Sequence, residues 1–191
     1  MTDRPKILGI SGSLRAGSFS TAVLEALKVA LADTADLTVF RLNGVEMYNQ
    51  DEDTETPPAH AAALRAAIAA ADGVILASPE YNYGTSGALK NAIDWGSRPY
   101  GKGALRGKPA LVLTSSPGST GGIRAQAQVR ETLSAAGSRV IDYPHLAIPS
   151  VAEKVKDGVF TDDKTKSFVL GGVEALLKEI KLLAHAKSHG L

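Results

Sequence analysis

The chain contains no cysteine. Disulfides, thiolate metal sites, iron–sulfur clusters and a cysteine nucleophile are therefore excluded. Neither sign of charge is in excess: 21 basic against 20 acidic residues leave a formal net charge of +1. Such a chain has no general electrostatic drive toward nucleic acid or an anionic membrane, so neither is expected as a partner. No apolar run approaches the roughly 20 residues that span a bilayer. The apolar stretch in MTDRPKILGIS is too short for a signal peptide, and the expectation is a cytoplasmic protein. Aromatic residues are scarce at 5%, with a single tryptophan. The rest is ordinary, with 44% hydrophobic and 21% charged residues in 191 positions. One domain over residues 1–191 is expected from that length.

Strand and helix patterns alternate. Lys6–Ile10, Leu37–Arg41, Gly73–Ser78, Pro109–Ser115 and Arg139–Tyr143 read as strands. Helical patterns run from about Ser20 to Ala32, from Pro57 to Ala71, from Ser86 to Trp95, from Ile123 to Ala136 and from Asp162 to Lys187. Gly137 supplies a natural stop for the fourth of these. Five strands alternating with helices predict an α/β fold with a doubly wound parallel sheet. At this length the expected form is flavodoxin-like, with order 2-1-3-4-5. Ligands of such sheets bind beyond the carboxyl ends of the strands, where the order reverses. The loops after the first, third and fourth strands are therefore the place to look.

All three are unusual. Ser11-Gly-Ser-Leu-Arg-Ala-Gly-Ser-Phe-Ser20 carries four hydroxyls, two glycines and Arg15, and a helix begins at its end. Backbone amides and the helix dipole there suit a phosphate, with Arg15 adding a charge-assisted bond. The dinucleotide fingerprint fails on glycine spacing, and the triphosphate-hydrolase pattern fails because Ser18 and Phe19 replace its Lys-Ser/Thr. The second loop is Ser78-Pro-Glu-Tyr-Asn-Tyr-Gly-Thr-Ser-Gly87. Tyr81, Tyr83, Trp95 and Tyr100 gather in and just after it, although the chain has few rings to spend. Such rings pack a flat heterocycle, or else a subunit interface. The third loop, Thr114 to Arg124, has glycines at 118, 121 and 122 that let a ligand approach the backbone.

A phosphate cradle beside a rigid, polar-edged platform fits a flavin mononucleotide. The segments GSLRAGSFS, SPEYNYGTSGALKNAIDW and GKPALVLTSSPGSTGGIRAQ resemble the NADPH-dependent FMN reductase family, which includes bacterial quinone, azo-dye and chromate reductases. The resemblance runs from about residue 6 to residue 187. It implies a flavodoxin-like homodimer or homotetramer that binds FMN. Ser13, Arg15, Ser18, Phe19 and Ser20 would surround the phosphate. Pro79, Glu80, Tyr81, Asn82 and Tyr83 would line the isoalloxazine and ribityl chain, and Ser115, Ser116 and Gly118 would close the other side. The implied reaction passes hydride from NADPH or NADH to flavin N5. A quinone or other small acceptor then takes the electrons, in a ping-pong scheme. Arg124 is the candidate substrate contact, and no acid–base or nucleophilic residue is required. The chain departs from the family at Ser20, where asparagine is usual, and at Ser86, where proline is frequent. In the quinone and chromate branch a tyrosine often stands at Ala127 and a glutamate at His145.

Other features carry less. His185 and His189 lack a third metal ligand. Asp51–Glu55 reads as a solvated, mobile loop, and Arg98, Lys102, Arg106 and Lys108 as a solvated basic loop or a site for the extra phosphate of NADPH. Two other functions share the fold class. A flavin reductase that releases reduced FMN differs in how tightly it holds the flavin. A flavodoxin-type electron carrier would be strongly acidic, and this chain is not.

Overall fold

A computed structural model describes residues 4–190. Its sheet is built on β1 (Lys6–Ser11), β2 (Asp36–Arg41), β3 (Gly73–Tyr81) and β5 (Pro109–Ser115), all parallel and ordered β2-β1-β3-β5. A short β4 (Gly84–Thr85) folds back antiparallel on the end of β3. The strands alternate side chains between two buried faces, as parallel strands covered on both sides must. Ile7, Ile75, Leu111 and Leu113 enter one core, closed by α1 (Phe19–Ala30) and α6 (Asp163–Ser188). Leu8, Ile10, Val74, Leu76 and Val112 enter the other, closed by α2 (Ala59–Ala70), α3 (Gly87–Gly96) and α4 (Ile123–Ala135).

Three of the helices begin where a side chain satisfies a free amide. Ser18 caps α1 by accepting from the Thr21 amide, and Ser86 caps α3 by accepting from Leu89. Asp162 caps α6 by accepting from Thr165, and these hydrogen bonds hold its carboxyl below the usual carboxylate range. Gly137 terminates α4 at φ +80°, a conformation that costs glycine little. The expected flavodoxin-like order is thus observed, with one correction at its far edge. The fifth strand is not Arg139–Tyr143. It is split into β6 (Arg139–Val140), paired with Pro109 and Ala110, and β7 (Leu146–Ile148), paired with Leu113 to Ser115. Pro144 lies in the gap and has no N–H to give the ladder. Beyond it lie α5 (Val151–Lys154) and a hairpin of β8 (Val155–Lys156) and β9 (Val159–Phe160). Asp157 and Gly158, both at positive φ, form its two-residue turn.

The acidic loop before α2 is exposed along Asp51–Glu55 except at Asp53, and it is tied to the rest of the fold at several points. Trp95 Nε1 and Asn91 Nδ2 both donate to the Glu46 carbonyl, at 2.7 and 2.9 Å. Asn91 Oδ1 accepts from the Tyr48 amide at 2.7 Å, and the Tyr48 ring meets Trp95 edge-on. Residues Gln50–Glu52 form a 3-10 turn capped by Asn49. Asp53 pairs with Arg65, which also donates to the Trp95 carbonyl. Asn91→Ala removes two of the ties to this loop. Each is a buried or half-buried hydrogen bond, so a loss of about 1–3 kcal/mol is expected. Urea unfolding measures it, and limited proteolysis between residues 43 and 58 should quicken.

Candidate functional site

The first turn is fastened to its neighbours through Gly12. Its amide donates to the Ala77 carbonyl at 2.8 Å, and its own carbonyl accepts from Ser86 Oγ at 2.6 Å. A Cβ at this position would lie 3.0 Å from the Ala77 oxygen and 3.1 Å from both Leu89 Cβ and Ser86 Oγ, so any side chain here would crowd all three. The turn then presents buried serines at 13, 18 and 20. Ser18 is committed to its cap at 3.1 Å, and Ser20 Oγ stands 3.4 Å from Ser115 Oγ, which joins the first turn to the third. The amides of Phe19 and Ser20, at the first turn of α1, find no protein acceptor among the described residues. Such amides and the positive end of the helix dipole form an anion site. Arg15 is exposed at its rim, with its guanidinium 5.6 Å from the Phe19 ring.

The second turn is a two-residue hairpin. β3 runs past the sheet so that Glu80 and Tyr81 pair with Thr85 and Gly84. Asn82 and Tyr83 bridge them at φ 49° and 65°. Left-handed φ is uncommon for residues other than glycine, asparagine and aspartate, and Tyr83 holds it only because its surroundings impose it. Both tyrosine rings face outward, Tyr81 48% and Tyr83 70% exposed. Glu80 stands at the carboxyl tip of β3, in the edge expected to line a bound ring. Its carboxylate turns under α4, where Oε2 accepts from the Arg124 and Ala125 amides at 2.9 and 3.2 Å, and Oε1 from the Arg124 guanidinium at 3.2 Å. It serves as the missing N-terminal acceptor of a helix whose preceding residue, Gly122, has no side chain to cap with. Arg124 is thereby placed over the Tyr83 ring, 4.2 Å from its centroid.

The third turn is fixed rather than flexible. Ser116 donates its amide to the Ile148 carbonyl and accepts at its own carbonyl from Val151, both at 3.1 Å. The Gly118 carbonyl accepts from the Ser150 amide at 3.1 Å, and Ser116 Oγ accepts from the Gly118 amide. Between the first turn and the α3 N-terminus lies a cavity of about 380 Å³ lined by Gly12, Leu14, Arg15, Tyr81, Ser86, Gly87 and Ala88. Leu14, Ser86 and Gly87 join the site only through this packing. In the sequence Ser86 stands out as the start of a helical pattern and as a departure from the family's frequent proline.

A larger concavity, about 1,380 Å³, opens at the opposite end of the sheet. It is lined by the amino ends of β1 and β5 and the carboxyl ends of α2 and α6. Arg106 and Lys108 sit there, so the basic run from Arg98 to Lys108 does not form one patch at the strand tips. Lys108 is half-buried. Its ammonium donates to the terminal carbonyls Ala69 and Ala71 of α2, and burial pushes its pKa down. Arg98 instead stacks on Tyr48, 5.3 Å from the ring centroid. His185 and His189 lie ring against ring at 4.1 Å, and no cluster of three metal-ligating side chains occurs among the described residues.

Three turns that converge at the carboxyl edge of a parallel sheet ordered β2-β1-β3-β5-β6 define a flavodoxin-like protein with its candidate site at that edge. A profile of the NADPH-dependent FMN reductase family matches residues 5–153. The chain belongs to that family of oxidoreductases. It is 38% identical over 178 residues to an NAD(P)H-dependent FMN reductase of Pseudomonas aeruginosa, covering 92% of this chain and 95% of that one. It is 36% identical to a quinone reductase of Escherichia coli, over 92% and 95% of the two chains. The flavoenzyme NAD(P)H:(acceptor) oxidoreductase FerB of Paracoccus denitrificans superposes with a TM-score of 0.83 at 32% identity, covering 93% of this chain and 97% of that one. Because Ser86 both caps α3 and holds the first turn, Ser86→Ala is expected to cost about 1–2 kcal/mol. Thermal unfolding measures the loss.

Proposed function

We propose that the chain binds FMN across the carboxyl tips of β1, β3 and β5 and reduces a quinone or similar small acceptor at the expense of NADPH or NADH. The observation that supports this best is the anion site at the start of α1, where two free amides meet buried serines a few ångströms from the third turn. The residues fit the cofactor. Ser13, Ser18, Ser20 and the amides of Phe19 and Ser20 offer hydrogen bonds to a dianionic phosphate, and Arg15 offers charge from the rim. Ser20 is short where the family usually has asparagine, and the neighbouring Ser115 hydroxyl extends its reach.

Pro79, Tyr81, Asn82 and Tyr83 form a rigid edge for the flavin ring, and Ser115, Ser116 and Gly118 close the opposite side. Glu80 serves this edge from behind, through α4. Backbone amides of the second and third turns are preorganised dipoles that favour negative charge at the pyrimidine end of the ring. When bound, FMN supplies the two-electron chemistry, taking hydride from the nicotinamide and passing electrons to the acceptor. Arg124, half-exposed above Tyr83, is placed to meet the substrate. Ala127 and His145, in place of the tyrosine and glutamate frequent in the quinone and chromate branch, set a different acceptor preference. The chain works as one domain, in a cytoplasmic homodimer or homotetramer, with no nucleic acid or membrane partner.

The purified protein should show or acquire a flavin spectrum that NADPH bleaches without oxygen; absence of both would refute the assignment. Arg15→Ala removes one charge-assisted bond, so the FMN Kd should rise about 10- to 100-fold. The Kd for riboflavin, which has no phosphate, should hold. Initial rates with donor and acceptor both varied should give parallel lines, and intersecting lines would exclude the ping-pong order.

A further inference from the structure

Three contacts from one edge of α4 grip the hairpin that ends β3. The Arg124 and Ala125 amides take the Glu80 carboxylate, the Arg124 guanidinium covers Tyr83, and Gln128 Oε1 accepts from the Thr85 amide at 3.0 Å. Residues 124 and 128 are four apart, so they share a helix face. The third contact is the one that reaches β4, and it depends on a glycine. A Cβ on Gly84 would lie 2.9 Å from Gln128 Oε1. Gly84 has no positive φ, so its missing side chain is not required by the backbone. It is required by the space that the Gln128 amide occupies. Sequence spacing gives no hint of this pairing, because positions 84 and 128 belong to different turns of the chain.

We propose that Gln128 is a positioning residue for the flavin platform. By holding Thr85, it keeps Asn82 and Tyr83 in their left-handed conformation, and so keeps the edge that faces the isoalloxazine at a fixed height. The proposal rests on the FMN reading given above. It predicts a ring effect, not a phosphate effect. Once released, the hairpin relaxes and the ring loses its edge, while the serine turn at the start of α1 is untouched. Gln128 is exposed, so the folded protein should barely register its loss.

Flavin titrations of the full chain with FMN and with riboflavin test this, alongside thermal unfolding. Gln128→Ala should raise both Kd values by a similar factor, about five- to tenfold for one lost hydrogen bond. The Tm without flavin should stay close to that of the wild type. Gln128→Glu, which keeps an acceptor for the Thr85 amide, should restore most of the binding. Gly84→Ala, which displaces the Gln128 amide from the other side, should reproduce the Gln128→Ala phenotype. Combining Gly84→Ala with Gln128→Ala should add little, since both break one contact. Unchanged riboflavin affinity in Gln128→Ala, or additive losses in the pair, would overturn the proposal while leaving FMN binding intact. A wild-type chain that binds neither flavin would instead overturn the reading beneath it.

Discussion

The register between three parallel strands decides where everything at the ligand end lies. Ser11 pairs with Ala77 across β1 and β3, and Pro79 pairs with Ser115 across β3 and β5. The turns therefore leave the sheet at staggered levels, with β1 ending opposite Ala77, β5 opposite Pro79 and β3 running on to Tyr81. That stagger lets the Gly12 amide reach the Ala77 carbonyl and the Ser20 hydroxyl reach Ser115. The register is itself imposed from within. Slipping one strand by a single residue would exchange its two buried faces, sending Ile75 and Leu76 to the wrong helices. Apolar burial far from the ligand thus sets the height of polar groups near it.

The two ends of the sheet differ in kind because the helices all run opposite to the strands. Helix N-termini collect at the carboxyl edge, with their free amides and partial positive charge. Helix C-termini collect at the other edge, where carbonyls need cations instead. Lys108 against α2 and Arg4 against the Ala32 carbonyl after α1 answer that need. The larger concavity is therefore basic for a structural reason, and its volume says nothing about which end does chemistry. The smaller cavity, between the first turn, the N-terminus of α3 and the hairpin, lies at the edge whose field favours a phosphorylated ligand.

Much of this was legible in the sequence. Strand and helix alternation, the position of the three turns, and Gly137 as a helix boundary follow from local patterns that the fold keeps. What was not legible involves pairs brought together by the chain path. Pro144 hides the second half of the outer strand, because β7 has only three residues and gains its place from Leu113 to Ser115. The loop before α2 looks solvated by composition, yet Asn91 and Trp95 reach it from more than forty positions away. The pairing of the Glu80 carboxylate with the uncapped amides of α4 left no local sign, since the two lie more than forty positions apart. The Asp157-Gly158 hairpin carried a clear turn signal, though between strands of only two residues each.

Strain at the hairpin and the contacts that surround it belong to one account. Two non-glycine residues at positive φ cost of order 1–3 kcal/mol each. A two-residue hairpin on its own does not supply that, since isolated hairpins are marginal in water. Here the turn is braced on both sides, by the Ser78 and Thr85 hydroxyls at 2.9 Å and by α4 through Glu80, Arg124 and Gln128. Asn82 tolerates the left-handed region, but Tyr83 does so only under load. A glycine at position 83 would relieve the strain and also remove the ring on which Arg124 rests. The tyrosine at a costly conformation is thus intelligible if its ring is needed at that place, beside the cation and above the edge of the flavin platform.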